Sequence, residues 1–282
     1  MIDKTKTPIL ISTPRAGSHY VGQYIRETFR NRGILLPGSA EVFDRDIFEN
    51  GINYKSIIRF FEDTRELLNM DICAITHASH LRNSVRMMSR PTYETLLDWF
   101  KDFYDGYQMI LLRRKNVWKQ WISTLFHKSI DIAGEQSGDT FIKKRWIEDV
   151  HPWHNIRGTM REGILKSTIT QLNPKFVHRE NVLQNFLFEL RYMEEEIRNY
   201  YVNGSYNNSN IRDVWLEDLN DDILTEWFIP QGMRSDFVMN EKIIPFNIKY
   251  ETYFKKPDLE VVKNKFMKIY NDELKHYGYV VD

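Results

Sequence analysis

The chain has 282 residues, of which 42% are hydrophobic, enough to build the core of one large α/β domain or two small ones. Lysine plus arginine and aspartate plus glutamate each total 39, so no overall field draws the protein to nucleic acid or to an anionic membrane. The single cysteine, Cys73, excludes an internal disulfide framework and a multi-cysteine zinc site, and its apolar neighbours predict a place in the core. Because the positive and negative charges balance, any anion-binding site must be local.

The N-terminus indicates no targeting segment. Residues 1–8 contain no apolar signal region, and no stretch approaches the ~20 apolar residues that cross a bilayer. We therefore expect a soluble, cytoplasmic protein.

The first buried strand is predicted at Ile9–Ile11, and the loop Pro14-Arg15-Ala16-Gly17-Ser18-His19 separates it from an amphipathic helix. The first N–H groups of that helix lack intrahelical partners, so this end attracts anions. Arg15 adds a cation and the Ser18 hydroxyl adds a donor. The Gly-Lys-Ser/Thr ending of a Walker A loop is missing, which disfavours a nucleoside triphosphatase.

This loop resembles the 5′-phosphosulfate loop of sulfotransferases, in which a strand leads into Pro-Lys/Arg-Ser-Gly-Ser/Thr-Thr and then a helix. The resemblance implies that the loop binds the 5′-phosphate of PAPS, the 3′-phosphoadenylyl sulfate donor, and that Arg15 also offsets charge on the leaving phosphate. The residues implied in binding are Arg15, Ala16, Gly17, Ser18, His19 and Tyr20.

A second buried strand is predicted at Asp71–His77, followed by a polar cluster that contains His77 and His80. From the residues alone, these histidines are either solvated or satisfied loop residues, or part of a site. Sulfotransferases carry Lys-Thr-His-Leu at the end of the corresponding strand, and Thr76 and His77 match it, whereas the flanking residues do not. The resemblance implies that His77 is the catalytic base, with His80 as the competing candidate.

The third strand is predicted at Tyr107–Arg114, after which Asn116 can cap a helix. Ser123 lies nine residues after Arg114, about two helical turns in, so a guanidinium and a hydroxyl could converge on one phosphate. Basic residues in such loops are also commonly just solvated, so the residues alone leave both readings open. The spacing resembles the 3′-phosphate signature of sulfotransferases, particularly the bacterial trehalose-type branch. It implies that Arg114 and Ser123 bind the 3′-phosphate of PAPS, with Arg113 as the alternative arginine.

The remaining chain gives weaker signals. Residues around 131–175 are polar and broken by glycine and proline, which predicts an acceptor-side insertion, and the His151/His154 pair lacks a third metal ligand. A long helix is predicted over 178–202 with Glu194 to Glu196 on its solvated face, and Ile211–Leu219 resembles the late Tyr-Glu-Asp-Leu strand of sulfotransferases.

The C-terminal portion departs from the cytosolic sulfotransferases, because their Arg-Lys-Gly segment that closes over the nucleotide is absent. Pro245–Lys249 is the candidate equivalent, with Lys249 as its only cation. Two aspartates, Asp221 and Asp222, should start a helix, and a final helix is predicted at about Asp258 to His276, ended by Gly278.

Together these features resemble a PAPS-dependent sulfotransferase. The implied fold is a single α/β domain over residues 1–282, a three-layer P-loop-like fold with a central, mainly parallel sheet flanked by helices. PAPS is the implied donor and PAP the product, without a metal, and the implied acceptor is a small-molecule or glycan hydroxyl or an amine. A P-loop-like kinase using Mg²⁺, or a non-catalytic nucleotide- or glycan-binding protein, is the alternative. The sequence indicates neither a nucleic-acid nor a membrane partner, and it gives no oligomeric state.

Overall fold

The computed structural model describes residues 7–18, 20–22, 24–25, 54–68, 72–83, 93–125, 180–204, 210–228, 251 and 256–281. The insertion predicted around 131–175, the His151/His154 pair and the Pro245–Lys249 segment lie outside these residues. The described residues fall into two compact units, Met1–Arg114 with Phe188–Val238 and Lys115–Leu187 with Met239–Asp282. The prediction of one domain over residues 1–282 stays a prediction.

Four parallel strands form one sheet in the first unit. They are β1 (Pro8–Ser12), β2 (Ile75–His77), β3 (Gln108–Arg113) and β4 (Ile211–Trp215), in the spatial order β2-β1-β3-β4. The predicted α/β class and parallel arrangement are confirmed. All residues of β1 and β3 are buried, which agrees with their continuous apolar runs, because strands inside a parallel sheet are covered on both faces.

Helices follow or connect these strands. They are α1 (described at 18, 20–22 and 24–25), α2 (Tyr54–Leu68), α3 (Ala78–Leu81), α4 (Leu96–Phe103), α5 (described at 117–125), α6 (Glu180–Tyr192), α7 (Asp221–Phe228) and α8 (Lys256–Ile269). A π-helix at Met193–Asn203 continues α6, and a π-turn at Tyr270–Leu274 followed by a 3-10 turn at Lys275–Tyr277 continues α8. None of the helices in the described ranges is long and apolar enough to cross a bilayer.

The core of the first unit lies between the sheet and helices that contribute many aromatic side chains. Trp99 and Phe100 of α4 pack with Phe61 of α2, whose ring centroid lies 5.8 Å from that of Trp99. Thr95 caps α4 in a reciprocal capping box with Asp98, which explains why this helix begins at Leu96. Cys73 is buried, as predicted, beside the carbonyl of Pro8.

The second unit is also built on aromatic packing. The ring centroid of Trp121 in α5 lies 5.1 Å from that of Phe186 in α6 and 6.3 Å from that of Phe266 in α8. Asn116 caps α5 through its side-chain oxygen, which accepts a hydrogen bond from the Lys119 amide at 2.9 Å, as predicted. Gly278 has a φ of 86°, so it takes the left-handed conformation predicted for the end of the last helix.

One boundary and one surface prediction are corrected. The second strand is Ile75–His77, shorter than predicted, with Ile72 making only an isolated bridge. The prediction for Glu194 is wrong, because this residue is only 4% exposed, whereas Glu195 and Glu196 are exposed as predicted. Glu194 is buried because two arginines neutralise it, Arg113 at 3.3 Å and Arg198 at 2.5 Å.

Candidate anion-binding site

Three neighbouring strands end at the same edge of the sheet in the first unit. β1 lies between β2 and β3, with Ser12 in register with His77 on one side and with Leu112 on the other. The residues that follow these strand ends are therefore brought together by the sheet itself. His77 ends β2, and the loop after β1 and Arg114 follow the other two strands; the sequence singled out all three. The carboxyl edge of an open parallel sheet is where α/β proteins commonly bind ligands.

The loop Thr13–Ser18, here called the anion loop, has an unusual backbone. The Ala16 amide donates to the Thr13 carbonyl at 3.1 Å, which closes a turn with Pro14 and Arg15 at its centre. Arg15 has a φ of 62° and Gly17 a φ of 87°, and among the described residues Arg15 is the only non-glycine with a positive φ. A non-glycine residue in this region costs of order 1–3 kcal/mol, and such strain is concentrated at functional sites.

Positive φ values alternate with ordinary ones along the anion loop. Arg15 and Gly17 are left-handed, and the residues between and around them are not. Backbones that combine left-handed and ordinary residues in this way are typical of loops whose N–H groups bind anions. α1 begins directly afterwards, with the Gly17 carbonyl accepting from the Tyr20 and Val21 amides at 2.9 and 3.2 Å. The anion loop and the positive end of a helix therefore meet at the same point.

Gly17 is also required by its surroundings. A Cβ atom placed at this residue would lie 2.6 Å from Cδ1 of Leu216, which directly follows β4. Both the left-handed φ and the approach of Leu216 therefore exclude a larger side chain without local movement. The anion loop is thus packed from one side by the turn after β4.

Arg114 contacts the anion loop. Its Nη1 lies 3.5 Å from the backbone carbonyl oxygen of Arg15, and its Nε lies 4.0 Å from Oε1 of Glu217. Two predicted phosphate ligands, Arg15 and Arg114, therefore come together at one edge of the sheet. Ser123 is described within the second unit, in α5, where it is buried. Its pairing with Arg114 stays a prediction, and His19 and Lys249 lie outside the described residues.

Arg113, the alternative phosphate ligand, is instead held in a set of four charged residues, of which Arg113 and Glu194 are buried and Arg198 and Asp213 are partly exposed. Its guanidinium contacts Asp213 at 2.8 Å and Glu194 at 3.3 Å, and Arg198 contacts the same two carboxylates. The Cζ atom of Arg113 also lies 3.7 Å from the centroid of the Trp215 ring. We call these residues, Arg113, Glu194, Arg198 and Asp213, the charge cluster. The charges of this cluster are matched within the protein. Of the two arginines at the end of β3, Arg114 is therefore the one that suits a ligand.

His77 is the last residue of β2, and α3 begins immediately after it. His80 lies within α3, and the two imidazole centroids are 5.2 Å apart. Both candidate bases therefore lie at the same end of β2, and both are partly buried. His77 is fixed by strand pairing with Ser12, whereas His80 is carried by a helix of only four residues.

Asp221 is a residue of this region that sequence reasoning did not connect to the site. Its Oδ1 accepts hydrogen bonds from the hydroxyls of Tyr20 at 2.9 Å and Tyr24 at 2.5 Å. Burial, and then the hydrogen bond to Asp221, raises the pKa of both phenols well above the ordinary value, so both stay neutral donors. The partners are 201 and 197 residues apart, a separation for which the sequence carries no local signal.

The candidate site is defined by the geometry of the anion loop, His77 and Arg114. Within the described ranges, no three His, Cys, Asp or Glu side chains are grouped so that they could hold a metal ion. Neither a scan against protein-family models nor searches of curated proteins and of solved structures found a match to this chain.

Proposed function

We propose that the protein is a PAPS-dependent sulfotransferase with a three-layer P-loop-like fold. The observation that carries the proposal is the anion loop, whose alternating backbone opens onto the strand edge that also holds His77 and Arg114. A donor with two separate phosphate groups fits this arrangement, because a backbone concavity and a second cationic side chain can each take one of them.

The anion loop and Arg15 would hold the 5′-phosphate that carries the sulfuryl group. Arg114, with Ser123 as the expected second ligand, would hold the 3′-phosphate. This phosphate distinguishes PAPS from ATP. The charge of Arg114 suits that role because the neighbouring Arg113 takes the internal carboxylates Asp213 and Glu194.

Sulfuryl transfer is an in-line displacement, for which positioning and charge stabilisation supply most of the catalysis. The acceptor oxygen or nitrogen forms a bond to sulfur, the bond from sulfur to the 5′-phosphate oxygen breaks, and PAP leaves. His77 takes the acceptor proton, while Arg15 and the loop amides offset the negative charge that develops on the departing phosphate. The acceptor class is a small-molecule or glycan hydroxyl, or an amine.

Calorimetry with three nucleotides tests the proposal. Adenosine 3′,5′-bisphosphate should bind more tightly than AMP and should raise the melting temperature more at equal concentration, because it alone carries the 3′-phosphate. Equal affinities would count against the 3′-phosphate site. Tighter binding of ATP with Mg²⁺ would favour the kinase alternative.

Activity is tested with labelled PAPS and a panel of hydroxyl and amine acceptors. Transfer of label to one acceptor class supports the proposal. Tight bisphosphate binding with no transfer to any acceptor would instead indicate a non-catalytic nucleotide-binding protein.

A further inference from the structure

The turn after β4 contacts both the anion loop and the helix that follows it. Leu216 packs against Gly17 so closely that a Cβ there would lie 2.6 Å away. Five residues later, Asp221 accepts hydrogen bonds from Tyr20 and Tyr24 of α1. The segment 216–221 therefore holds the loop at one point and α1 at two others.

The two tyrosines occupy one face of α1. They are four residues apart, their ring centroids lie 6.0 Å apart in an edge-to-face arrangement, and they are 5% and 2% exposed. Both hydrogen bonds are partly buried and Asp221 itself is exposed, so the two phenols, whose rings are buried, favour the position in which their hydroxyls reach this carboxylate. Asp221 lies in the first turn of α7, and Asn220 caps this helix through the Ile223 amide at 2.9 Å. Asp221, the hydrogen-bond acceptor of both tyrosines, is thus held on a capped helix.

Tyr20 also connects this contact to the anion loop through the backbone. Its amide donates to the Gly17 carbonyl at 2.9 Å, so a displacement of Tyr20 would move Gly17. A site made of backbone N–H groups depends on their common direction, because hydrogen bonds weaken steeply when they are misaligned. Rigid preorganisation of such donors is what makes them effective toward an anion.

We propose that Asp221 is a positioning residue of the anion site, which fixes the start of α1 through Tyr20 and Tyr24 and thereby orients the loop amides. The identity of the anion as a 5′-phosphate rests on the proposed sulfotransferase function. The restraint on the loop does not. Asp221 acts as a hydrogen-bond acceptor, and its negative charge is not needed.

The test compares Asp221→Ala, which removes the acceptor, with Asp221→Asn, which keeps an oxygen acceptor without the charge. Asp222→Ala is the matched control, because Asp222 is an exposed carboxylate in the same first turn of α7. The first measurement is hydrogen exchange of the amides of residues 16–25 in the ligand-free protein. We expect exchange about tenfold faster in Asp221→Ala, near the wild-type rate in Asp221→Asn, and unchanged in the control.

The second measurement is calorimetric affinity for AMP and for adenosine 3′,5′-bisphosphate. Asp221→Ala should weaken both affinities by the same factor of about ten and leave the ratio of the two affinities unchanged, since both ligands share the 5′-phosphate. A residue that only stabilised the fold would lower the melting temperature without changing either affinity of the folded protein.

The inference is overturned if residues 16–25 of Asp221→Ala exchange as in the wild type, or if exchange rises equally in β3. It is also overturned if Asp221→Asn behaves as Asp221→Ala. If Asp221→Ala does not fold, Tyr20→Phe and Tyr24→Phe each remove one donor and keep the ring, and the same exchange result is expected of them. A wild-type protein that binds neither nucleotide contradicts the sulfotransferase proposal, and the exchange measurement still decides the role of Asp221.

Discussion

Arg113 is the last residue of β3 and Arg114 is the residue after it, yet the two have opposite surroundings. Arg113 is 3% exposed and contacts two carboxylates, Asp213 and Glu194, at 2.8 and 3.3 Å. Arg114 approaches the backbone of the anion loop and lies 4.0 Å from the nearest oxygen of Glu217. Successive side chains alternate in direction along an extended chain, so Arg113 enters the interior and Arg114, just past the strand, reaches the edge where the loop lies.

The contrast shows how one strand end serves structure and ligand binding at once. The charge cluster contains two arginines and two carboxylates, so its charges cancel inside the protein. The anion loop, with Arg15, lies beside Arg114 at the carboxyl edge of the sheet, an arrangement of backbone donors and two cations that an external anion complements. Substitutions in the charge cluster should therefore alter stability, and substitutions around the anion loop should alter binding or turnover.

The largest expected effect comes from breaking the charge cluster. Arg113→Met removes one cation and leaves the buried Glu194 and the partly buried Asp213 with only Arg198, which should lower the free energy of unfolding by about 3–5 kcal/mol. Chemical denaturation measures this loss. Arg114→Met is the matched control, the same substitution one residue later, and should cost less than about 1 kcal/mol. Equal losses in the two variants would remove the distinction between the arginines.

The sequence predicted the elements of this region better than their partners. The parallel strands, the loop after β1, the helix starting at Asp221 and the left-handed Gly278 were all readable, because apolar runs and turn residues act locally. The burial of Glu194 was not, since the two arginines that neutralise it come from β3 and from one turn further along its own helix. The hydrogen bonds from Tyr20 and Tyr24 to Asp221 could not be predicted from the sequence either, because only the folded chain brings such distant residues together.

The next largest effect should fall on turnover. His77→Ala should lower the rate of transfer from labelled PAPS at least about a hundredfold, because general-base catalysis contributes that much or more. Affinity for adenosine 3′,5′-bisphosphate should stay within a few-fold, since the base meets the acceptor and not the phosphates. His80→Ala is the control, with an imidazole 5.2 Å away on the same strand end. If His80→Ala abolishes turnover and His77→Ala does not, the roles of the two histidines are reversed.

Arg114 should set the preference for the 3′-phosphate. Arg114→Ala should weaken the binding of adenosine 3′,5′-bisphosphate by about 1.5–3 kcal/mol and leave the binding of AMP nearly unchanged, because a charge-assisted hydrogen bond contributes that amount. Calorimetry with both nucleotides measures the ratio of affinities. A variant that keeps the full preference would assign the 3′-phosphate to another cation and would separate Arg114 from the site.

The smallest expected effect, and the one that compares the two regions most directly, is their response to salt. The Debye length falls from about 10 Å at 0.1 M to about 3 Å at 1 M salt, and buried pairs are screened much less than accessible ones. Raising sodium chloride over this range should therefore weaken adenosine 3′,5′-bisphosphate binding a few-fold. The free-energy difference between wild type and Arg113→Met should stay the same, because Glu194 and Arg113 are almost fully buried. Chloride is the appropriate anion, since sulfate could compete at the anion loop itself. A stability difference that shrinks with salt would show that water reaches the charge cluster, and salt-independent binding would show that charge contributes little to the nucleotide site.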